Sequence, residues 1–240
     1  MLDSPLPDCP PSLCTAVSVG GGAWIFDLDN TLYPAADSLF VQVSQRIRDY
    51  IGRFLDLDAE AAFRLQKDYF ARYGTSLRGM MIEHGMDPAP YLAYVHDVDL
   101  AMIAPNPRLD AALGGLGGRK LVFTNASCDH AERVLERLGI ARHFDAIFDI
   151  ADGDYVPKPE PEPYAALVRR HAFDPTAAVM IDDIARNLLP AAALGMTTVW
   201  LRNDTDWGRT GAADGHVHHV VDDLIAWLET AAAAPASRRA

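Results

Sequence analysis

Seven side chains that can bind a metal ion or a phosphate group lie at or near the ends of short apolar segments of this 240-residue chain. They are Asp27, Asp29, Thr124, Asn125, Lys158, Asp182 and Asp183. A buried carboxylate is costly unless a cation or hydrogen-bond donors compensate its charge. In doubly wound sheets, ligands bind beyond the carboxyl ends of the strands. We therefore expect the seven residues to converge on one edge of a sheet.

The combination of carboxylates, hydroxyl, amide and lysine favours phosphoryl transfer. Crowded carboxylates repel one another, so a hard divalent cation is expected, and oxygen ligands suit Mg²⁺. One carboxylate beside the ion can attack phosphorus and form an acyl-phosphate. A second carboxylate, two residues along the strand, points the same way and can move a proton. The hydroxyl, the amide and the lysine can hold the phosphoryl oxygens.

The apolar segments that precede these residues alternate with helical patterns. Strands are predicted at AWIFDLD, KLVFTN, FDAIFDI, AVMIDD and MTTVWL, with HVHHVV as a weaker edge strand. Helices fit DHAERVLERLG, EPYAALVRRHA and ARNLLPAAALG, among others. Strands that alternate with helices predict an α/β fold with a doubly wound, mainly parallel, Rossmann-like sheet.

The segment 37–104 contains no convincing strand and interrupts this alternation. SLFVQVSQRIRDYIGRFL and DAEAAFRLQKDYFARYG have apolar residues at helical spacing. The segment is too large for a simple crossover, so we interpret it as a second, helical domain with APNPRL (104–109) as a stiff return linker. The remaining organisation is an α/β core of 23–36 and 105–230, with flexible tails at 1–22 and 231–240.

The composition excludes several classes of protein. The formal net charge is −12, which does not fit the basic face of a nucleic-acid binder. Three cysteines form neither a disulfide framework nor a CxxC pattern. The first 22 residues lack the features of a signal peptide, and no apolar run reaches the ~18 residues of a membrane helix. We therefore expect a cytoplasmic protein that acts on a small molecule rather than on a nucleic acid or a membrane.

Four motifs, FDLDNTLYP, FTN, PKPEP and IDDIARN, occur in an order that resembles the haloacid dehalogenase-like hydrolase superfamily. The resemblance implies that the helical domain is a cap, that Asp27 is the nucleophile and that Asp29 is the general acid and base. It also implies a Mg²⁺ site formed by the Asp27 carboxylate, the Asp29 backbone carbonyl and Asp183, with Asp182 beside it. The phosphoryl group would be held by Thr124, Asn125 and Lys158.

Longer segments resemble one branch of this superfamily. DNTLYP, KDYFARYGTSLRGMM, DPAPYLAYVHDVDL, KLVFTNAS and IDDIARN are similar to the pyrimidine 5'-nucleotidase-like branch, which hydrolyses nucleoside monophosphates such as UMP and CMP. The resemblance implies a Mg²⁺-dependent phosphomonoesterase that acts through an aspartyl-phosphate. Tyr73 and Arg78 in the cap are predicted near the mouth of the site, with Arg78 as a specificity residue. Ile184 departs from a usual serine, and Ala126-Ser127 from a common Gly-Asp.

Other activities remain open on the same core. A sugar-phosphate or phosphoglycolate phosphatase would use the same residues, and a phosphomutase would return the phosphoryl group to its substrate. A non-catalytic module that binds a phosphorylated ligand is a further alternative. A dehalogenase is disfavoured because a halide leaving group needs no proton, whereas Asp29 can supply one.

Several residues also have a purely structural interpretation. Asp182 and Asp183 can cap the helix that follows them, and Asn187 is either a hydrogen-bond partner of these acids or a solvated helix residue. His84, His96 and His130 are expected at the surface or in the cap, without a ligand role. The core of the cap is predicted to contain the aromatic residues Phe54, Phe63, Tyr69 and Phe70.

Overall fold

A six-stranded sheet forms the centre of the protein. The computed structural model describes residues 22–34, 39–203 and 205–233. The strands are β1 (Ala23–Phe26), β2 (Arg119–Phe123), β3 (Ala146–Phe148), β4 (Val179–Asp182), β5 (Thr197–Leu201) and β6 (His219–Val221). Their order is β3-β2-β1-β4-β5-β6, and each pairing is parallel. The predicted doubly wound parallel sheet is confirmed, and HVHHVV supplies an edge strand.

Strand β1 lies in the middle of the sheet because its residues are apolar on both faces. Trp24 and Phe26 pack into one hydrophobic cluster, while Ala23 and Ile25 pack into the cluster on the opposite face. Successive side chains of a strand point to opposite faces, so a central parallel strand is a continuous apolar run. The neighbours β2 and β4 extend alongside β1 and end at the same edge, where Asp27 donates its N–H to the Ile181 carbonyl at 2.9 Å.

The helical insert lies between β1 and β2, as predicted. It comprises α1 (Leu39–Leu55), α2 (Ala59–Tyr73), α3 (Ser76–His84) and α4 (Pro88–Val95). The side chains of Asp58, Thr75 and Asp87 accept backbone N–H bonds and begin α2, α3 and α4. The insert has its own apolar cluster, whose buried members include Ile51 and Tyr69.

The other helices belong to the α/β part of the chain. They are α5 (Pro107–Gly115), α6 (Cys128–Leu138), α7 (Pro161–His171), α8 (Leu189–Ala193), α9 (Asp206–Arg209) and α10 (Leu224–Ala233). They cover the two faces of the sheet through the clusters that contain Leu113 and Leu138 on one side and Tyr164 and Ala191 on the other. In the described part of the chain, no helix is long and apolar enough to cross a membrane.

The structure differs from the expected segment boundaries at two places. The segment expected to be a return linker begins α5 at Pro107, because the Asn106 side chain accepts the Leu109 N–H and proline is favoured at the first helical position. Helix α10 continues to Ala233, three residues into the expected tail. The remaining tail residues, 1–21 and 234–240, lie outside the described residues.

The aromatic residues of the cap are only partly buried. Tyr69 is buried as expected, whereas the prediction that Phe54 and Phe63 lie in the cap core is wrong, since they are 46% and 44% exposed. Each helix of a small domain buries a single stripe, and here Ile51 and Ala62 occupy those stripes on α1 and α2.

Candidate active site

Lys158 joins the ends of the three neighbouring strands β2, β1 and β4. Its ammonium group lies 2.7 Å from Asp27 Oδ1 and 2.7 Å from Asp182 Oδ2, and it donates to the Phe123 carbonyl at 2.9 Å. Lys158 is only 2% exposed. Burial alone would lower the pKa of Lys158, but the charges of Asp182 and Asp27 outweigh it and raise this pKa above its ordinary value. The lysine therefore stays cationic inside the site.

Three buried carboxylates lie close together, and a single ammonium group contacts two of them. Asp27, Asp182 and Asp183 each offer one oxygen within 4.8 Å of the others. Burial raises the pKa of Asp27 to about 7, since Asp182 also raises it and Lys158 only partly compensates. Burial and the charges of Asp27 and Asp182 likewise raise the pKa of Asp183 well above its usual range. A hard divalent cation with oxygen ligands would relieve this excess of negative charge, so the donor set fits Mg²⁺.

Asp182 makes more hydrogen bonds than the other two carboxylates. Besides Lys158, it accepts from the Ile184 N–H at 2.9 Å and from Asn187 Nδ2 at 3.0 and 3.2 Å. The Asn187 carbonyl in turn accepts from the Tyr164 hydroxyl at 2.5 Å. The departure at Ile184 leaves this arrangement intact, because the bond to Asp182 comes from a backbone N–H that any residue except proline supplies.

Asp183 is held by a residue that the sequence analysis did not identify. Asn203 Nδ2 donates to Asp183 Oδ2 at 3.1 Å and to its carbonyl at 2.9 Å, and the same carbonyl accepts from Trp200 Nε1 at 3.0 Å. Asn203 follows β5, so its position directly after a strand of the same sheet was the available signal. Asn203 is 20 residues from Asp183 in the sequence, so no short motif indicates the hydrogen bond between them.

The first turn after β1 orients both aspartates of FDLDNT. Thr31 Oγ1 donates to Asp27 Oδ2 at 2.9 Å, and the Tyr33 hydroxyl donates to Asp29 Oδ1 at 2.5 Å. Asn30 adopts a left-handed conformation with φ of 62°, which turns the chain so that Thr31 and Tyr33 fold back onto the strand end. Thr31 and Tyr33 belong to the quoted motif, yet their contacts became visible only in the structure.

His130 also contacts Asp29, which corrects the expectation that it lies at the surface or in the cap. It belongs to α6, is fully buried, and its Nε2 lies 3.2 Å from Asp29 Oδ1. Burial would raise the pKa of Asp29, but the hydrogen bond and charge of His130 together with the Tyr33 hydroxyl lower it. The expectation failed because α6 turns His130 toward the edge of the sheet. A single buried polar side chain leaves no periodic pattern in the sequence from which its burial could be predicted. His84, by contrast, lies in the cap near Tyr69.

The predicted phosphate-binding residues meet through two adjoining loops. Thr124 is buried, and its Oγ1 accepts the Ala126 N–H at 3.0 Å. Asn125 Oδ1 accepts the Lys158 N–H at 2.9 Å, which ties the loop after β2 to the loop that carries the lysine. The Lys158-Pro159 peptide bond is cis. At the departure Ala126-Ser127, the serine begins α6 by accepting the His130 N–H at 3.4 Å.

The cap approaches this loop at Gly74, beside the two predicted specificity residues. A Cβ atom at Gly74 would lie 3.1 Å from Pro157 Cγ and 3.2 Å from the Lys158 carbonyl. The Tyr73 hydroxyl instead donates to Glu83 within the cap, so it is not brought to the carboxylates. Arg78 is half-buried in the first turn of α3, where its N–H bonds to the cap residue Thr75, and its role in specificity stays a prediction.

The fold and the site together define the class of the protein. The sequence profile of the haloacid dehalogenase-like hydrolases matches residues 23–195, so the chain belongs to this family. It is 27% identical over 83% of its length to Phosphate metabolism protein 8 of Saccharomyces cerevisiae, of which it spans 62%.

A second relative supports the same family, and a solved structure shares the fold. A phosphoglycolate phosphatase of Rhodospirillum rubrum is 30% identical over 74% of this chain and 78% of that protein. The crystal structure of a phosphatase of the same family from Thermococcus onnurineus aligns over 89% of this chain and 98% of its own, with a TM-score of 0.59 at 19% identity. At that identity the structural likeness establishes the fold.

Proposed function

We propose that this protein is a Mg²⁺-dependent phosphomonoester hydrolase that acts through an aspartyl-phosphate on Asp27. The observation that carries the proposal is the arrangement of Asp27, Lys158 and Asp183, in which a buried carboxylate contacts a fixed ammonium group and lies within 4.8 Å of a further carboxylate. Such a site can bind both a divalent cation and a phosphoryl group. Family membership and the names of the relatives support the same reaction class.

In the proposed first step, a carboxylate oxygen of Asp27 attacks phosphorus while the ester oxygen leaves. Asp29 protonates the departing alcohol, and Thr124 and Asn125 hold the phosphoryl oxygens. The three N–H groups of Lys158 already have acceptors, so the lysine offsets the charge of the phosphoryl group without a direct hydrogen bond to it. The pKa of Asp29 is lowered in the free protein. The negative charge of a phosphate ester at the same edge of the sheet would oppose this shift and favour the protonated carboxyl.

In the second step, Asp29 removes a proton from water, which attacks the phosphorus of the aspartyl-phosphate. The bond between phosphorus and Asp27 breaks, inorganic phosphate leaves, and the Asp27 carboxylate is restored. Lys158 on Oδ1 and Thr31 on Oδ2 keep this carboxylate in one orientation through both steps. Orientation of this kind lowers the entropic part of the barrier.

The proposed cation site consists of the Asp27 carboxylate, the Asp29 backbone carbonyl and Asp183. The bound Mg²⁺ would neutralise charge on the phosphoryl group. We assign Asp182 to a different task, since its oxygens already accept from Lys158, Asn187 and the Ile184 N–H. In this assignment Asp182 fixes the lysine and lies beside the ion, rather than binding it.

The substrate is a small phosphate ester, and two classes are supported by different observations. The cap motifs resemble those of pyrimidine 5'-nucleotidases and point to UMP or CMP. The Rhodospirillum rubrum relative is named for phosphoglycolate, and a relative from Methanocaldococcus jannaschii for glyceraldehyde 3-phosphate, so a small phosphorylated metabolite fits at least as well.

A panel of phosphate esters, with Mg²⁺ or with EDTA, tests the proposal. We expect release of phosphate from UMP, CMP, phosphoglycolate or a sugar phosphate that EDTA abolishes and Mg²⁺ restores. The Asp27→Asn variant should lose at least ~10³-fold in kcat because it lacks the nucleophile. Release from none of these esters, or near wild-type turnover of Asp27→Asn, contradicts the proposal and favours a non-catalytic binding module.

A further inference from the structure

The proposed proton carrier Asp29 is bound at one oxygen by two donors. Tyr33 and His130 both contact Oδ1, at 2.5 and 3.2 Å, while none of the described residues forms a hydrogen bond to Oδ2. A carboxylate accepts hydrogen bonds but does not donate them when ionised, so His130 presents Nε2–H to Asp29. The pair of contacts on Oδ1 fixes the carboxylate and leaves Oδ2 available for proton transfer.

A neighbouring histidine ring also orients the His130 ring. The His96 ring, at the end of α4 in the cap, stacks on it with 4.5 Å between centroids and 22° between planes. His96 is itself held, because its Nδ1 lies 2.8 Å from Ser127 Oγ. Burial and neighbouring His130 lower the pKa of His96 to about 3, so the stacked ring is neutral.

Arg133 of α6 also holds the segment that contains His96. Arg133 donates to the His96 carbonyl and to the Val98 carbonyl, both at 3.1 Å. The segment that leaves the cap is thereby fixed on α6, the helix that carries His130. A chain of direct contacts runs from the cap segment at His96 through His130 to Asp29.

We propose that His130 is a positioning residue that holds Asp29 in the orientation needed for proton transfer, and that His96 braces it from the cap. The assignment rests on the proposed function, since it concerns the proton carrier of that reaction. His130 itself does not touch the reacting atoms. Its loss should therefore affect a step that needs a proton more than a step that does not.

The sharpest test compares two esters by kcat/KM, which reports the steps up to departure of the alcohol. The first ester is an alkyl ester, UMP or phosphoglycolate, whichever the wild-type chain hydrolyses faster, and its alcohol must be protonated as it leaves. The second is p-nitrophenyl phosphate, whose nitrophenolate leaves without protonation. His130→Leu should lower kcat/KM for the alkyl ester about tenfold to hundredfold, because general acid catalysis contributes at least that much. The value for p-nitrophenyl phosphate should change less than about threefold.

Two further variants separate positioning from packing. His130→Gln places an amide N–H where Nε2 lies and should restore most of the loss with the alkyl ester. His96→Ala removes the stacked ring and should change the ratio of the two kcat/KM values in the same direction by a smaller factor. His143→Leu is the matched control, since His143 pairs with Asp110 away from the site and its loss should leave the ratio unchanged.

The outcomes are distinct for the two proposals. Equal losses on both esters in a folded His130→Leu protein, or no rescue by His130→Gln, overturn the positioning role while leaving the hydrolase intact. An unchanged ratio in His96→Ala overturns the bracing role of the cap. A wild-type chain inactive on every ester with Mg²⁺ overturns the proposed function, and the assignment of His130 with it.

Discussion

Lys158 and Asp27 are 131 positions apart, yet their 2.7 Å contact organises the centre of the site. The lysine compensates two buried carboxylates at once, and each of these would be costly to bury alone. The third, Asp183, accepts a hydrogen bond from Asn203, and no ammonium group of the described residues contacts it. At the scale of the residue, the negative charge of the three carboxylates therefore exceeds the positive charge of Lys158, and a divalent ion would compensate the excess.

Asn203 should control the affinity for that ion. Removal of an outer partner of a metal ligand commonly lowers affinity 10- to 100-fold, because the ligand is no longer held in place. We expect Asn203→Ala to raise the Kd for Mg²⁺ by about tenfold, measured by calorimetric titration of the folded variant. Asn106→Ala, which removes a cap residue of α5 far along the chain, serves as control; a similar Kd for Asn203→Ala and this control would refute the role.

At the scale of the element, helix starts and strand ends bring the groups together. The strands β2, β1 and β4 are neighbours and end at one edge, so their following residues meet there. The cap joins this edge where α2 ends, because Gly74 packs against the loop of Pro157 and Lys158. Phe70 of α2 contacts the other side of the site, with the Arg186 guanidinium 5.1 Å from its ring.

Gly74 and Gly85 form a pair for testing this contact. Both have positive φ, 80° and 62°, so alanine is strained at either position, by about 1–2 kcal/mol in the left-handed conformation of Gly85 and by more at Gly74, whose ψ of −31° lies outside that region. An added Cβ presses on the Lys158 loop only at Gly74, since nothing lies within 4 Å at Gly85.

Gly85→Ala should thus lose stability in chemical denaturation through backbone strain alone, and Gly74→Ala should lose more. Only Gly74→Ala should also lose kcat, by roughly tenfold, because a displacement of about 1 Å near a catalytic group is sufficient for a loss of this size or greater. Equal kcat values for the two folded variants would show that the approach of the cap to the loop has no part in catalysis.

At the scale of the whole molecule, the cap is an insertion that returns to the core through several side-chain contacts. Lys67 of α2 lies 5.4 Å from the Trp207 ring of α9, and His96 contacts Ser127 and His130. The contact of His96 with His130 reaches the strand ends, because His130 contacts Asp29 there.

Mg²⁺ should stabilise the folded protein as a whole. A ligand at about 100 times its Kd adds about 2.7 kcal/mol to the free energy of unfolding, which corresponds to a rise in Tm of roughly 5–10 °C for a chain of this size. The physical reason is relief of repulsion among Asp27, Asp182 and Asp183.

Thermal unfolding with Mg²⁺ and with EDTA at matched ionic strength measures this rise. The Asp183→Asn variant should lose most of it, and in EDTA its Tm should equal or exceed that of the wild type because one repelling charge is gone. An undiminished Mg²⁺ shift in Asp183→Asn would place the ion elsewhere.

The sequence by itself determined the α/β class, the inserted helical block and the strand ends that carry Asp27, Asp182 and Asp183. These features depend on short-range patterns, namely apolar runs, helical periodicity and the polar residues that follow a strand. The exposed Phe54 and the start of α5 at Pro107 differ from expectation, because burial and capping are decided by neighbours rather than by period.

Only the tertiary structure decided which side chains complete the site. His130 lies 101 positions from Asp29, and Asn203 lies 20 from Asp183, and neither has a local pattern that separates it from an ordinary polar residue. Their roles arise when α6 and the loop after β5 reach the sheet edge. A hydrogen bond depends on position in space to within tenths of an ångström, which periodicity along the chain does not encode.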